Sequence, residues 1–219
     1  MRFAAVVLVM FGALVSGCAS GGTARLTESQ VQVTTPEGAS LAAVWKTHPA
    51  TVLVWWSGSC PCVRRYEARV KEMATRYGAR EVPFYYVASN SDDGPERLAQ
   101  VSGPVPVVVD AGGQLARTLG VISTPTVAVV DREGAVRFLG WLDNEHDVGD
   151  PDREPWLEEA LDEVLAGGAG TRKTPVWGCT VTRSLAEKKT CHSPAPAPVA
   201  SEPPVASEAP VAPKKCGGH

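Results

Sequence analysis

Apolar and polar positions in the middle of the chain fall into blocks whose lengths and periods predict strands and helices in turn. Thr51–Trp56 is a continuous apolar run of strand length, which is typical of a buried central strand. Residues 61–77 carry apolar positions at helical spacing, and Gly78 is expected to end that helix. Further strands are predicted over 82–88, 105–110, 127–130 and 135–139, and further helices over 96–101, 114–119 and 155–166. This order predicts an α/β domain with a mixed central sheet.

The amino-terminal residues differ from this middle. Arg2 precedes an uncharged stretch from Phe3 to Val15, which is too short to span a membrane as a mature helix but has the size of a signal-peptide core. The residues that follow, Ser16-Gly17-Cys18, complete a resemblance to a bacterial lipobox. That resemblance implies cleavage before Cys18 and a diacylglycerol on its sulfur. Because Ala19 follows, we expect an outer-membrane anchor facing the periplasm; the alternative is an ordinary secretory signal.

The carboxyl-terminal residues change in composition as well. Between Ser193 and Pro213, prolines are interleaved with Ala, Val, Ser and Glu without a hydrophobic period. Such a segment buries too little surface to offset its ordering entropy, so we expect it to be disordered. The expected organisation is a signal peptide over 1–17, a disordered lipidated tether over 18–30, a domain over 31–182 and a Pro/Ala-rich tail over 183–219.

Composition and charge narrow the class of protein. The chain has 219 residues, of which 44% are hydrophobic, and its 21 Lys+Arg against 24 Asp+Glu leave a net charge of −3. Without an excess of cations, a nucleic-acid partner is not expected. No pattern indicates a cofactor or a resident metal. If Cys18 is acylated, the remaining cysteines are 60, 62, 179, 191 and 216, an odd number that cannot all pair within one chain.

The junction between the apolar strand and the following helix carries the most informative chemistry. Cys60-Pro61-Cys62 stands there, and proline suits the first helical position because its missing N–H would be unpaired anyway. Cys60 is then expected at or near the N-cap, facing unpaired N–H groups and the positive end of the helix dipole. Together with Arg64 and Arg65 one turn away, this setting is expected to lower the pKa of Cys60. A thiolate is the nucleophile in thiol–disulfide exchange and in peroxide reduction.

Other motifs accompany this junction: Ser123-Thr124-Pro125-Thr126 ahead of a strand, residues 138–144, and Trp177-Gly178-Cys179 after the last helix. With Trp56-x-x-x-Cys60, they make residues 31–182 resemble the thioredoxin-fold superfamily, and more closely its redoxin, or peroxiredoxin-like, branch. The resemblance implies a thioredoxin-like three-layer fold in which the Thr124–Pro125 bond is cis and lies beside Cys60. It also implies that Thr124 offers its backbone to an extended substrate, that Pro125 shields the thiolate and that Trp56 walls the groove.

Two departures from the family pattern concern the chemistry. Thioredoxins carry Cys-x-x-Cys, whereas Cys62 lies one residue early and Val63 stands in the fourth position. Helical positions i and i+2 point to nearly opposite sides, so a Cys60–Cys62 disulfide is expected to require an opened first turn. Thr51–Trp56 also lacks the carboxylate that thioredoxins bury there. Ser57 matches the hydroxyl of the peroxiredoxin motif, but Leu53 replaces its proline.

These observations predict a lipid-anchored envelope oxidoreductase that acts on a protein disulfide or a peroxide, with an unidentified thiol as electron donor. Cys60 is the expected nucleophile, and either Cys62 or Cys179 resolves the intermediate; Cys179 could instead form a structural disulfide with Cys191.

Three alternatives stay open: a peroxiredoxin-like peroxidase, a Sco-like copper carrier using Cys60, Cys62 and either His48 or His146, and a binding module without turnover. Of the acidic segments, 143–154 is interpreted as a solvated loop, and 90–93 as a turn that could border the cleft.

Overall fold

A computed structural model of the protein describes residues 24–101, 103–145 and 149–181. These residues form five α-helices and eight short or medium strands, with two 3-10 turns at Glu28–Gln30 and Ala111–Gly113. In chain order the elements are α1 (Leu41–Thr47), β1 (Ala50–Trp56), α2 (Pro61–Gly78), β2 (Phe84–Ala88), α3 (Pro95–Leu98), β3 (Val107–Val109), α4 (Gln114–Leu119), β4 (Ser123–Thr124), β5 (Thr126–Asp131), β6 (Val136–Gly140), α5 (Trp156–Leu165), β7 (Arg172–Lys173) and β8 (Cys179–Thr180).

Six of these strands form the central mixed sheet, in the order β3-β2-β1-β5-β6-β7. β1 lies at the centre, parallel to β2 and antiparallel to β5. All seven residues of β1 are buried, which explains its unbroken apolar sequence. β4 and β8 form a separate antiparallel pair.

Helices cover both faces of the sheet and produce three layers. Alternate residues of β1 point to opposite faces. Val52, Val54 and Trp56 belong to the core cluster that includes α2 and α5 residues, whereas Leu53 and Trp55 belong to the cluster that includes α1 and α4 residues. The thioredoxin-like α/β architecture with a mixed sheet is therefore confirmed.

The packed part of the chain begins before residue 31, where the domain was expected to start. Leu26 is buried, its N–H donates to the Gly134 carbonyl at 2.7 Å, and Arg25 forms a β-bridge with Ala135. The reason is that Leu26 adds an apolar side chain to the core on the α1 face of the sheet. Cys18, His146, Cys191 and Cys216, on which several expectations depend, lie outside the described residues.

Two further features differ from the sequence prediction. Gly78 is the last residue of α2 rather than the stop beyond it, and Ala79 is the C-cap. The sequence prediction also lacks α1 and the strands β4, β7 and β8. The three strands are two residues long and therefore carry no detectable period. Among the described residues, no helix combines the length and the apolar character needed to cross a membrane.

Candidate redox site

Cys60 lies where the central strand passes into the longest helix. It is the N-cap residue of α2, with extended backbone angles (φ −88°, ψ 114°), and Pro61 occupies the first turn. Its N–H donates to the Ser57 carbonyl at 3.2 Å, which closes the short loop between β1 and α2. The side chain is fully buried. The sulfur is therefore fixed at a helix N-terminus, inside the protein rather than on its surface.

The loop between β4 and β5 lies against this sulfur. The Thr124–Pro125 peptide bond is cis, as the resemblance implies. Cys60, as a thiol, donates to the backbone carbonyl of Thr124 at 3.3 Å, across 64 positions of sequence. Two distant parts of the chain thus meet at the Cys60 sulfur.

A third part of the chain brings Cys179 to the same place. β8 pairs antiparallel with β4, with Cys179 directly opposite Thr124 and Thr180 opposite Ser123. The Thr124 hydroxyl donates to the Cys179 carbonyl at 3.4 Å. Cys179 is half-buried, in contrast to the buried Cys60.

The sulfur atoms of Cys60, Cys62 and Cys179 all lie within 4.8 Å of one another, and none of the three forms a disulfide. The expectation that Cys60 and Cys62 point to opposite sides is wrong. It assumed helical geometry at both positions, but Cys60 precedes the helix with extended angles, so its side chain turns toward that of Cys62. The first turn of α2 is intact with the two sulfurs in proximity.

The neighbouring thiols control ionisation in this cluster. Hydrogen bonds from Cys179 and then Cys62 lower the pKa of Cys60, more than burial raises it, and the Thr124 side chain and the Val63 N–H act in the same direction. The pKa of Cys179 is raised, chiefly because its thiol hydrogen is shared with Cys60. Arg64 and Arg65, expected from the sequence to assist, are not among these causes. The cluster favours one thiolate, on Cys60, held by two thiols.

A buried carboxylate also borders the loop that precedes Cys60. Asp93 is 7% exposed, and its Oδ1 accepts the Gly58 N–H at 3.0 Å. Burial raises the pKa of Asp93, partly offset by hydrogen bonds from Ser57, Gly58 and Asn90. β1 contains no carboxylate, although thioredoxins bury one in the corresponding strand. The buried carboxylate belongs instead to the Asn90–Asp93 turn. That this turn lies beside the cleft follows from the order of the strands, which the local sequence does not show.

The remaining predicted residues are distributed unevenly around the cluster. Trp56 is buried in the same core cluster as Cys60, at the end of β1. His48 lies before β1, where its Nδ1 is 2.8 Å from the Val44 carbonyl, whereas Cys60 follows β1. A seven-residue strand is about 20 Å long, so His48 is not a ligand beside these sulfurs.

The chain has a cysteine at a helix N-cap beside a cis-proline loop, in a three-layer fold whose sheet has the strand order given above. These features define it as a thioredoxin-like α/β protein. The chain belongs to the Redoxin family, whose model matches residues 24–155.

Solved structures show the same fold. A hypothetical protein from Sinorhizobium meliloti is 25% identical with a TM-score of 0.60, over 70% of this chain and 90% of that one. An uncharacterized conserved protein from Geobacillus kaustophilus is 24% identical with a TM-score of 0.59, over 68% and 86%. A candidate thioredoxin from Neisseria meningitidis is 20% identical with a TM-score of 0.50, over 62% and 87%. No curated protein sequence matches the chain significantly.

Proposed function

We propose that the protein is a thiol–disulfide oxidoreductase whose nucleophile is Cys60. The single observation that supports this most strongly is that three cysteine sulfurs lie within 4.8 Å of one another, one of them on the N-cap residue of α2. Membership of the Redoxin family agrees with a redox role. The proposed reaction needs no cofactor, because the two electrons come from a pair of cysteine thiols.

The proposed reaction has two exchange steps. The Cys60 thiolate attacks one sulfur of a substrate disulfide, forms a mixed disulfide with it and releases the other sulfur as a thiolate, which takes up a proton. A second cysteine, deprotonated, then attacks the Cys60 sulfur and releases the rest of the substrate as a thiol. The substrate gains two electrons, the protein ends with one disulfide, and an external dithiol must reduce that disulfide before the next cycle.

We propose Cys179 as the resolving residue. The hydrogen bond from Cys179 is the main cause of the lowered Cys60 pKa, and Cys179 is half-buried, so an external dithiol can reach it. Cys62 is 2% exposed within the first turn of α2, which makes it the less accessible choice.

Variants of the three cysteines test these roles. We expect Cys60→Ser to abolish turnover of a small disulfide and of insulin with dithiothreitol as donor, and Cys179→Ser to accumulate the mixed disulfide at Cys60. Cys62→Ser is the matched control and should retain most turnover. Mass spectrometry of nonreduced peptides should give a Cys60–Cys179 bond; a Cys62–Cys179 bond beside a free Cys60 would reject the assignment. The same variants assayed with hydrogen peroxide measure the peroxidase alternative.

A second candidate function, a carrier of soft metal ions, is favoured by one observation. Cys60, Cys62 and Cys179 present three sulfurs at mutual distances that suit a single trigonal ion, and thiolates select Cu(I). In this version Cys179, not a histidine, is the third ligand. Anaerobic Cu(I) titration should then give one tight equivalent that each Cys→Ser variant loses and His48→Ala keeps. Uptake unaffected by these cysteine variants would exclude the carrier.

We also propose the cell envelope as the place of action, attached through a lipid on Cys18. The support is the sequence from Arg2 to Cys18, which precedes the described residues. In a bacterial host, labelled palmitate should be incorporated into the wild-type chain, and Cys18→Ser should remove both the label and sedimentation with membranes. Equal labelling of the variant would exclude this anchor.

A further inference from the structure

The strand that carries Cys179 occupies the backbone edge beside the cis-proline loop. β8 pairs with β4 in antiparallel register, so the edge of Ser123–Thr124 that faces β8 is already used within the chain. The pairing continues at Val181, whose N–H donates to the Ile122 carbonyl at 2.8 Å. An extended polypeptide that bound this edge would have to make the same main-chain hydrogen bonds.

The fit between the two strands is tight at Gly178. Gly178 has φ +104°, and a Cβ added there would lie 2.0 Å from the Thr124 carbonyl oxygen. The preceding residue is held from the other side: the Trp141 indole N–H donates to the Trp177 carbonyl at 3.2 Å, and the two rings lie 4.6 Å apart. The backbone just before Cys179 therefore lies between the cis-proline loop on one side and Trp141 on the other.

The surroundings of this pair suit a polypeptide rather than a small polar molecule. Ile122, just before β4, is 45% exposed, and Val176, just before Trp177, is 38% exposed. They are two of three large hydrophobic residues exposed in the described part of the chain. An extended chain lying along β4 would cover apolar side chains and satisfy backbone groups, as strand addition does.

We propose that β8 occupies the edge of β4 to which a polypeptide substrate would otherwise bind. This occupancy determines which class of disulfide the site accepts. A small disulfide exchanges with Cys60 while β8 stays paired, because only side chains must move. A polypeptide disulfide reaches Cys60 only after displacing β8 from β4. This inference rests on the proposed oxidoreductase function and adds a selectivity that the function alone does not require.

The experiment measures the first exchange step alone. The background is the full chain with Cys62, Cys179, Cys191 and Cys216 all replaced by serine. The mixed disulfide at Cys60 is then the end product, and the serine hydroxyls at 62 and 179 still donate hydrogen bonds. The rates of its formation are compared for oxidised glutathione and for insulin. Gly178→Ala is introduced to force β8 off β4, and Gly167→Ala is the matched control, because Gly167 also has positive φ (+83°) but nothing within 4 Å of an added Cβ.

We expect Gly178→Ala to raise the insulin-to-glutathione rate ratio about tenfold, since one or two lost backbone hydrogen bonds correspond to that factor. Gly167→Ala should leave the ratio within about twofold, a spread well below that factor. Hydrogen exchange at the Val181 amide should quicken in Gly178→Ala and stay unchanged in Gly167→Ala. Val181→Asp, which places a carboxylate at a position now 3% exposed, should act in the same direction from the other end of β8.

The possible outcomes distinguish a failure of this inference from a failure of the proposed oxidoreductase function. An unchanged ratio with faster amide exchange would overturn the proposal, and so would unchanged exchange in Gly178→Ala, because the close backbone contact would then be absent. If neither disulfide reacts with Cys60 in any variant, the oxidoreductase function itself fails.

Discussion

At the scale of single residues, the site depends on which sulfur carries the negative charge. Cys60 is surrounded by donors from three separate segments, and this arrangement lowers its pKa while raising that of Cys179. The charge is therefore placed on the sulfur nearest the helix N-terminus. A sulfur that is ionised near neutral pH is ready to attack without a separate base.

The pH dependence of Cys60 alkylation tests this arrangement. Because the pKa is lowered, the thiolate fraction is already constant above it, and the alkylation rate of the reduced protein should be flat between about pH 6 and pH 8. Cys179→Ala removes the strongest donor and raises the pKa of Cys60, so the rate should climb across that range. Cys179→Ser keeps a donor and should stay nearly flat. Identical profiles for the Ala and Ser variants would contradict the hydrogen-bond explanation. Iodoacetamide with peptide mass spectrometry measures the rate at Cys60 alone.

Asp93 acts as a positioning residue for the loop before Cys60. Its Oδ1 accepts the Gly58 N–H, so Asp93→Ala leaves that donor unpaired and should lower the free energy of unfolding by about 1–3 kcal/mol. Asp93→Asn keeps an oxygen acceptor in the same position and should lose less. Urea denaturation measures both variants. Equal losses would indicate that the charge, and not the hydrogen bond, is what the loop requires.

At the scale of elements, Asp110 joins the ends of three strands to a helix. Its carboxylate accepts the N–H groups of Leu115 and Ala116 at the start of α4, at 2.9 and 3.0 Å. It also accepts the Ser89 hydroxyl at 2.7 Å, and Ser89 in turn accepts the Trp55 indole N–H at 3.1 Å. One buried carboxylate therefore sets where α4 begins relative to β1, β2 and β3.

Removing the Asp110 carboxylate should destabilise the start of α4 more than removing a solvent-exposed capping side chain would. We expect Asp110→Ala to lower the free energy of unfolding by about 3 kcal/mol, because several buried donors lose their acceptor together. Asp110→Asn retains one side-chain oxygen, so its free energy of unfolding should lie between those of Asp110→Ala and the wild type. Thermal or urea unfolding provides the measurement, and a loss below about 0.5 kcal/mol for Asp110→Ala, the usual range of a surface substitution, would show that water replaces the carboxylate there.

The sequence predicted the elements that have a period and missed those that do not. β1 and α2 were placed almost correctly, because one is an apolar run and the other repeats every three to four residues. β8 is two residues long, so nothing local shows that it pairs with β4. The motifs around Cys60 and Pro125 were recognised, yet the convergence of three sulfurs required knowing that pairing. The acidic stretch 143–154 was interpreted as a solvated loop, but Asp143 and Glu145 are buried.

At the scale of the whole molecule, these buried acids tie α2 to the segment before α5. Arg69 on α2 forms ion pairs with Asp143 and Glu145, and Arg153 pairs with Asp143 at 3.0 Å and with Glu158 at 2.6 Å. A cavity of about 330 Å³ opens beside these side chains. Because each cation has carboxylate partners, the network holds two parts of the chain together instead of offering a free anion site.

Acidification should weaken this connection. Burial raises the pKa of Glu145, but the Gly149 N–H and Arg69 more than offset it, so the pKa lies below its usual value of 4.5. A lowered carboxylate pKa contributes stability that is present above 4.5 and is lost as the pH falls through the folded-state value. The melting temperature of the wild type should therefore fall more steeply below pH 4.5 than that of Glu145→Gln. Parallel melting curves for the two proteins would show that Glu145 does not contribute to acid sensitivity.

The two ends of the described domain lie at opposite poles of the central sheet. Arg25 joins the domain beside Ala135, at the pole of the sheet where β1 begins, whereas Val181 departs next to Ile122, at the pole where β1 ends and Cys60 lies. Residue 25 therefore lies at one pole of the sheet, and the three clustered sulfurs lie at the opposite pole. Val181, the last described residue at this end of the domain, thus lies at the same pole as those sulfurs, so Ile122 and Val181 are the residues to label in a distance measurement to the site.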